Sequence, residues 1–117
     1  MVKQFITKDS GKRIDFKSGM RRDTQDNKPA FDLLMPEGQP FNETILYRWA
    51  MLMERGRLKY GRRNWEKANS KEELDRFKAS AFRHFMQWLA GEDDEDHAVA
   101  VMFNITCSEF TRNKLNI

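Results

Sequence analysis

Two short stretches of this chain carry residue types suited to chemistry. Lys59 to Glu66 read K-Y-G-R-R-N-W-E, with three cations, two aromatic faces and a carboxylate. Gly91 to His97 read G-E-D-D-E-D-H, five carboxylates and an imidazole in seven residues. An arginine offers phosphate a planar two-pronged donor, a lysine offers a point charge, and tyrosine or tryptophan offers a stacking face for a base. Mg²⁺ takes about six oxygens, usually a few carboxylates completed by water and substrate phosphate. Glu92 and Glu95 are three apart, and Glu92 and Asp96 are four apart. On a helix, either pair shares a face. Each stretch also has a plainer explanation. The first suits a helix C-terminus whose Lys and Arg complement the dipole, with Trp65 covering the edge of the core. The second suits a solvated acidic helix start. The two histidines, His84 and His97, are individually more typical of hydrogen-bonded packing residues than of ligands.

Helical patterning positions these groups. After Pro40, Ile45, Leu46, Trp49, Leu52 and Met53 recur at helical spacing, with Asn42 as the expected N-cap and a stop at Gly61. Ser70 to Glu73 spells a capping box. Leu74, Phe77, Ala81, Phe85 and Trp88 follow on the expected inner face, and Gly91 ends that helix. A third helix is expected to start inside the acidic block, capped by Asp93 or Asp94. Its body, Ala98 to Phe103, is apolar on nearly every side, so it should be central. A two- or three-residue link between the second and third helices forces an antiparallel hairpin. That hairpin brings Arg83, His84 and Gln87 beside Glu92, Glu95, Asp96 and His97. A carboxylate across the hairpin could hold His84 as an orienting group.

Residues 1–40 differ in composition, being rich in Gly, Pro, Asp, Lys and Ser. They read as an extended arm, with Phe5, Ile6, Ile14 and Phe16 flanking a hairpin around Asp9-Ser10-Gly11 and turn signals at Ser18-Gly19. The expected fold is therefore mainly α: a hairpin or bundle of three main helices at 41–117 with an extended, partly β N-terminal arm at 1–40.

With 117 residues the chain has length for one modest core. Its formal charge is +3, but 33% of its residues are charged and both signs are interspersed. No basic stripe marks a direct nucleic-acid binder. The single cysteine, Cys107, rules out an internal disulfide and fits a reducing compartment. No long apolar run marks a membrane span or a leader, so a cytoplasmic protein is expected. Walker A, G-x-G-x-x-G, G-x-S-x-G and C-x-x-C motifs are all absent.

The runs K-P-A-F-D-L-L, R-G-R-L-K-Y-G-R-R-N-W-E-K-A and G-E-D-D-E-D-H-A-V-A-V-M-F-N, with the pair R-H between the last two, resemble a phage-borne family. This is the dATP/dGTP diphosphohydrolase N-terminal domain family, itself similar to the MazG-like all-α nucleotide pyrophosphohydrolases. The resemblance spans roughly residues 17 to 110. It implies Mg²⁺-dependent cleavage of a (d)NTP to monophosphate and pyrophosphate, with purine deoxynucleotides favoured, Mn²⁺ as a substitute, and a dimer or tetramer. It also implies site roles. Glu92, Glu95 and Asp96 are the metal-binding and catalytic carboxylates, and Glu66 and Glu54 add carboxylates from elsewhere. Lys59, Arg63 and Arg83 neutralise the triphosphate, and Tyr60 and Trp65 flank the base. His84 and Asn104 line the substrate, Asn104 by bonding sugar or base, and His97 supports the metal ligands from behind.

One departure bears on mechanism. MazG-type enzymes pair E-x-x-E on one helix with E-x-x-D on the next. This chain has Glu92–Glu95, but His97, Ala98 and Val99 follow, while Glu72 and Glu73 lie at the far start of the preceding helix. Two alternatives therefore stand beside the enzyme. One is a phage protein of host-defence evasion that binds or sequesters a nucleotide without cleaving it. The other is a helical adaptor that binds no nucleotide.

Overall fold

A computed structural model describes residues 4–117. The chain separates into two compact units, Met1–Leu34 and Met35–Ile117. The boundary lies before the Pro40 division expected from composition.

The first unit is built on a two-stranded antiparallel ribbon, β1 (Arg13–Asp15) and β2 (Arg21–Asp23). Its turn falls at Ser18-Gly19, where Gly19 takes φ 93° and its N–H donates to Phe16 O at 2.9 Å. The hairpin expected around Asp9-Ser10-Gly11 is instead a local turn: Gly11 N–H donates to Asp9 Oδ1 at 2.8 Å. Phe5 and Ile6 belong to neither strand. Register sets Arg13 opposite Asp23 and Asp15 opposite Arg21. Both pairs close as ion pairs, at 3.0 and 2.7 Å. Arg13 also forks onto Asp9, which holds that carboxyl down at about 2. None of the described residues of this unit is buried, so local polar bonds rather than a core define it. A 3₁₀ turn, Phe31–Leu34, closes it.

The second unit is α-helical: α1 (Ile45–Tyr60), α2 (Lys71–Leu89) and α3 (His97–Leu115). α1 starts later than Asn42, which lies in a 3₁₀ turn at Phe41–Glu43. The cap is Thr44, whose buried hydroxyl donates to Phe41 O at 2.8 Å and accepts from Tyr47 N–H at 3.3 Å. The helix stops at Gly61 (φ 92°). Ser70 and Glu73 form the expected box at the start of α2: Ser70 Oγ accepts from Glu73 N–H, and Glu73 Oε1 accepts from the Ser70 hydroxyl at 2.6 Å and from Asn69 N–H at 3.1 Å.

α3 is central, as its apolar composition indicates. Its inward stripe runs His97, Ala100, Asn104, Cys107, Ser108 and Thr111, all buried. The stripe is partly polar and, apart from His97 and Asn104, built of small side chains. Two of its polar members bond along the helix, Asn104 Nδ2 donating to Ala100 O and Ser108 Oγ to Asn104 O, both at 2.8 Å, whereas the buried Thr111 Oγ1 has no partner among the described residues. Burial pushes the Cys107 thiol up to about 12, so it is inert packing. On α2 the inward stripe is Leu74, Phe77, Ala81 and His84. Phe85 and Trp88, expected in the core, are exposed and pair with each other at 5.9 Å between centroids. His84 takes the inward position because it has a polar partner there. No described helix is long and apolar enough to cross a membrane.

Candidate functional site

The acidic block is not helical. α2 ends at Leu89 and α3 begins at His97, so residues 90–96 form a seven-residue connector rather than the two- or three-residue link expected. Gly91 (φ 77°) reverses the chain. Consecutive carboxylates at 92–95 would repel one another within a single helical turn, and the helix waits until Asp96. The cap is Asp96, not Asp93 or Asp94. The shared helix face argued for Glu92 with Glu95 and Asp96 therefore does not exist.

Two anchors shape the connector. The first is an arginine that the motif reading passed over. Arg48 of α1 forks onto Asp96, Nε to Oδ2 at 2.8 Å and Nη2 to Oδ1 at 2.7 Å. Foremost the bond to Arg48 holds the Asp96 carboxyl below the usual carboxylate range. The signal was present in the sequence: position 48 is i+3 from Ile45 and i−4 from Leu52, on the inward stripe of α1. An arginine there needs a carboxylate partner.

The second anchor is a pair of imidazoles across the hairpin. His84 Nδ1 and His97 Nδ1 lie 2.9 Å apart, and both residues are buried. His97 Nε2 lies 2.7 Å from Asp94 Oδ1, and Arg83 Nη2 lies 3.5 Å from His84 Nε2. One proton arrangement satisfies all three contacts. His97 donates from Nε2 to Asp94, His84 donates from Nδ1 to His97, and His84 Nε2 is left to accept from Arg83. Both imidazoles are then neutral. Burial foremost, then the Arg83 charge, holds His84 below the usual imidazole range. The hydrogen bond from His97 foremost holds Asp94 below its usual value. A carboxylate oxygen of Glu95 completes a group with both histidines in which the ligand-capable atoms lie within 4.8 Å of one another.

A broad open groove of about 1820 Å³ runs along α1 to this connector. That volume exceeds an ordinary ligand pocket of about 300–1,000 Å³, so the groove is an open face and not a closed cavity. Asp93, Asp94, Glu95 and Asp96 line it at one end, with His84 and Asn104. Lys59, Tyr60, Arg62, Arg63 and Trp65 line it near the C-terminal end of α1. Neither Glu92, Glu66 nor Arg83 lines it.

The candidate residues thus separate by how free they are. Asp96 spends both oxygens on Arg48, and Asp94 is bonded to His97. Asp93 and Glu95 carry no side-chain hydrogen bond or ion pair among the described residues. Glu54 is held by Arg57, and Glu66 by Arg63 at 2.6 Å. Arg63 itself sits in the left-handed region (φ 60°) just before the 3₁₀ turn Asn64–Lys67. Trp65 packs edge-on against Phe103 and Phe110 of α3, at 6.2 and 5.2 Å between centroids. Tyr60 is exposed, with Lys59 Nζ 5.1 Å from its ring centre. Asn104 has its amide nitrogen committed to Ala100 O.

Distance along α1 also matters. Eleven residues separate Arg48 from Lys59, about 16 Å at 1.5 Å per residue. The Lys59–Arg63 cations are therefore at the far end of the groove from Glu95. Arg55 lies between them, lines the groove, acts on Asp96 through its charge, and carries no ion pair among the described residues. Arg55 and Asp93 are the groove residues that motif spacing did not bring out.

The family model described as "dATP/dGTP diphosphohydrolase, N-terminal" matches residues 18–115, and the chain belongs to that family. No curated protein and no solved structure matches it.

Proposed function

We propose that this member of the dATP/dGTP diphosphohydrolase family is a Mg²⁺-dependent (deoxy)nucleoside triphosphate pyrophosphohydrolase. It would cleave a purine dNTP to monophosphate and pyrophosphate, with Mn²⁺ able to replace Mg²⁺. One observation carries the reading. The groove sets two uncommitted carboxylates, Asp93 and Glu95, at one end and uncommitted cations of α1, Arg55 and Lys59, along its wall. Mg²⁺ is commonly held by one or two carboxylates plus substrate phosphate, so this donor set fits it. When bound, the ion would polarise the α-phosphate and activate an attacking water.

The remaining work falls to the chain. Arg48 fixes Asp96, and with it the height of the connector at which Asp93 and Glu95 are presented. Arg55 would neutralise the phosphates nearest the connector, and Lys59 and Arg63 those farther along. Tyr60, exposed at the end of α1, offers its ring to the base, whereas Trp65 supports that end from the core. Asn104 keeps its amide oxygen without a partner among the described residues, an acceptor for sugar or base.

Support for a homo-oligomer comes from α2. Phe82, Phe85, Met86 and Leu89 recur at helical spacing and are all exposed, Phe82 by 68% and Leu89 by 60%. Phe85 and Trp88 line a shallow apolar groove with Ala98 and Val101 of α3. Apolar stripes of this kind mark association surfaces.

The test is incubation with a panel of dNTPs and NTPs, with Mg²⁺ or with EDTA, and chromatography of the products. Monophosphate and pyrophosphate should form only with Mg²⁺. Glu95→Gln should lower turnover at least about 100-fold, more than changes behind a metal ligand usually do. Intact nucleotides under every condition would overturn the enzyme and leave a nucleotide-sequestering protein, which should return its ligand unchanged after denaturation.

A further inference from the structure

The connector and the two helices it joins hold a donor set that an oxygen-only Mg²⁺ site does not need. His84 and His97 are buried and face each other through the same ring atom, Nδ1, at 2.9 Å. Two neutral imidazoles so placed share a single proton, so one of the two nitrogens has a lone pair with no other use. Glu95 stands beside both, with its ligand-capable oxygen inside the same 4.8 Å group, and is exposed. Behind His97, Asp94 accepts from Nε2 at 2.7 Å. A carboxylate at the back of an imidazole fixes the ring and raises the basicity of the other nitrogen, the arrangement that supports metal-ligating histidines.

We propose that His84 Nδ1, His97 Nδ1 and a Glu95 carboxylate oxygen form a binding site for one borderline divalent transition metal, of the Zn²⁺ or Co²⁺ class. Two nitrogens and one carboxylate with a fourth position open is the composition of a four-coordinate site able to take water or a substrate oxygen. Zinc–nitrogen bonds of 2.0–2.1 Å in a tetrahedron put two ligand nitrogens about 3.3 Å apart. The imidazoles need to separate by a few tenths of an ångström, and each ring must turn by about 35°, because at 5.1 Å between centroids the two Nδ1 atoms point almost directly at each other. His84 and Glu95 line the groove, which gives the ion its way in.

One proton must move. Ligation through both Nδ1 atoms transfers the His84 proton from Nδ1 to Nε2, with no net proton lost from the pair. Nε2 now faces Arg83 Nη2, another donor, at 3.5 Å. Arg83 is exposed and free to swing away, but its presence opposes the metal-bound tautomer. This yields a consequence that a merely structural histidine pair would not have: Arg83→Gln should tighten metal binding. Glu95 belongs to both the Mg²⁺ reading and this site, so the two cations compete. The transition-metal site itself does not depend on the hydrolase reading.

The test uses the metal alone, without nucleotide. Titration of the purified chain with Co²⁺ should give visible absorption typical of a four-coordinate site, saturating at one ion per chain and displaced by Zn²⁺. Calorimetry with Zn²⁺ should show affinity lowered at least about 10-fold by His84→Gln, His97→Gln or Glu95→Gln, about 10–100-fold by Asp94→Asn, and raised by Arg83→Gln. A second measurement needs no variant: in wild-type protein with ¹⁵N-labelled histidine, Zn²⁺ should shift both Nδ1 resonances. Absence of stoichiometric binding, unmoved Nδ1 resonances, or affinity equal to wild type in the two histidine variants would each overturn the site. Zn²⁺ binding with no nucleotide cleavage would leave this site standing and remove only the hydrolase.

Discussion

The contact between Arg48 and Asp96 fastens α1 by charge to the start of α3, and its strength can be worked from the geometry. Two charge-assisted bonds at 2.7 and 2.8 Å would each contribute about 1.5–3 kcal/mol in a sheltered site. Fully exposed pairs contribute about 0–1 kcal/mol. The two side chains are 39% and 24% exposed, between these limits, so solvent screening removes much of the gross value. The fork geometry restores part of it. A coupling of about 1.5 kcal/mol results. Asp96 also sits at the N-terminus of α3, where a carboxylate contributes about 0.3–1 kcal/mol more. Asp96→Asn alone should therefore cost about 2 kcal/mol, or about 8–16 °C in Tm for a helical unit of this size. A double-mutant cycle with Arg48→Met, read by urea unfolding at pH 7, isolates the coupling. The sign with pH follows from the depressed carboxyl. A folded-state pKa below the unfolded value gives stability that is present above about pH 4 and lost as pH falls through the folded value. Wild type and Asp96→Asn should converge under acid. A coupling below about 0.5 kcal/mol at pH 7, as for an exposed pair, would refute the anchoring role.

Other consequences can be checked on the same material. His84 is held below the usual imidazole range, so the unfolded chain binds the extra proton first, and stability should fall as pH drops below about 6.5 and level off once folded His84 protonates. Unfolding curves from pH 7.5 downward should show that limb flattened in His84→Gln. Leu74, 1% exposed where α2 meets the core, should cost about 2–5 kcal/mol as Leu74→Ala, measured by urea unfolding. Light scattering after size exclusion should give at least a dimer. Phe82→Glu with Leu89→Glu should reduce it to a monomer without loss of helical circular dichroism, because both side chains are exposed within the single chain.

The helices were legible because each carries its period and its stops. Gly61 and Gly91 end α1 and α2 where the apolar pattern ends, and Ser70 with Glu73 opens α2. Antiparallel geometry placed His84 and His97 in one polar cluster, but the partner expected for His84 was a carboxylate, and the structure gives it the His97 ring while Asp94 bonds His97. The errors in the connections share one physical cause: a short polar segment satisfies its backbone in several ways that spacing does not rank. Asp9-Ser10-Gly11 makes an Asx turn as readily as a hairpin, so the ribbon formed one turn later, at Ser18-Gly19, where cross-strand Arg–Asp pairs could close. The acidic block offers five successive carboxylates at the start of α3. Asp96 became the cap because Arg48 reaches it from α1, a tertiary bond between residues 48 apart.

That choice of cap rearranges the whole site. Had α3 begun at Asp93, Glu92 and Asp96 would share a helix face and Asp94 would point elsewhere. Starting at His97 leaves the connector irregular, with bends at Asp94 and Glu95. Glu92 lies off the groove, Asp96 is fixed by Arg48, Asp94 turns back onto His97, and Asp93 and Glu95 stay uncommitted. Five like-charged residues thereby acquire different roles. Two brace the fold, two are presented to the groove uncommitted, and one lies off it. The bracing pair contacts groups on different elements, Arg48 of α1 and His97 of α3, while His97 in turn bonds His84 of α2. All three helices therefore set the position of Glu95. Removing either brace should displace Glu95 without touching it. Asp94→Asn and Arg48→Met should both weaken whatever cation Glu95 holds, even at temperatures where the variants remain folded.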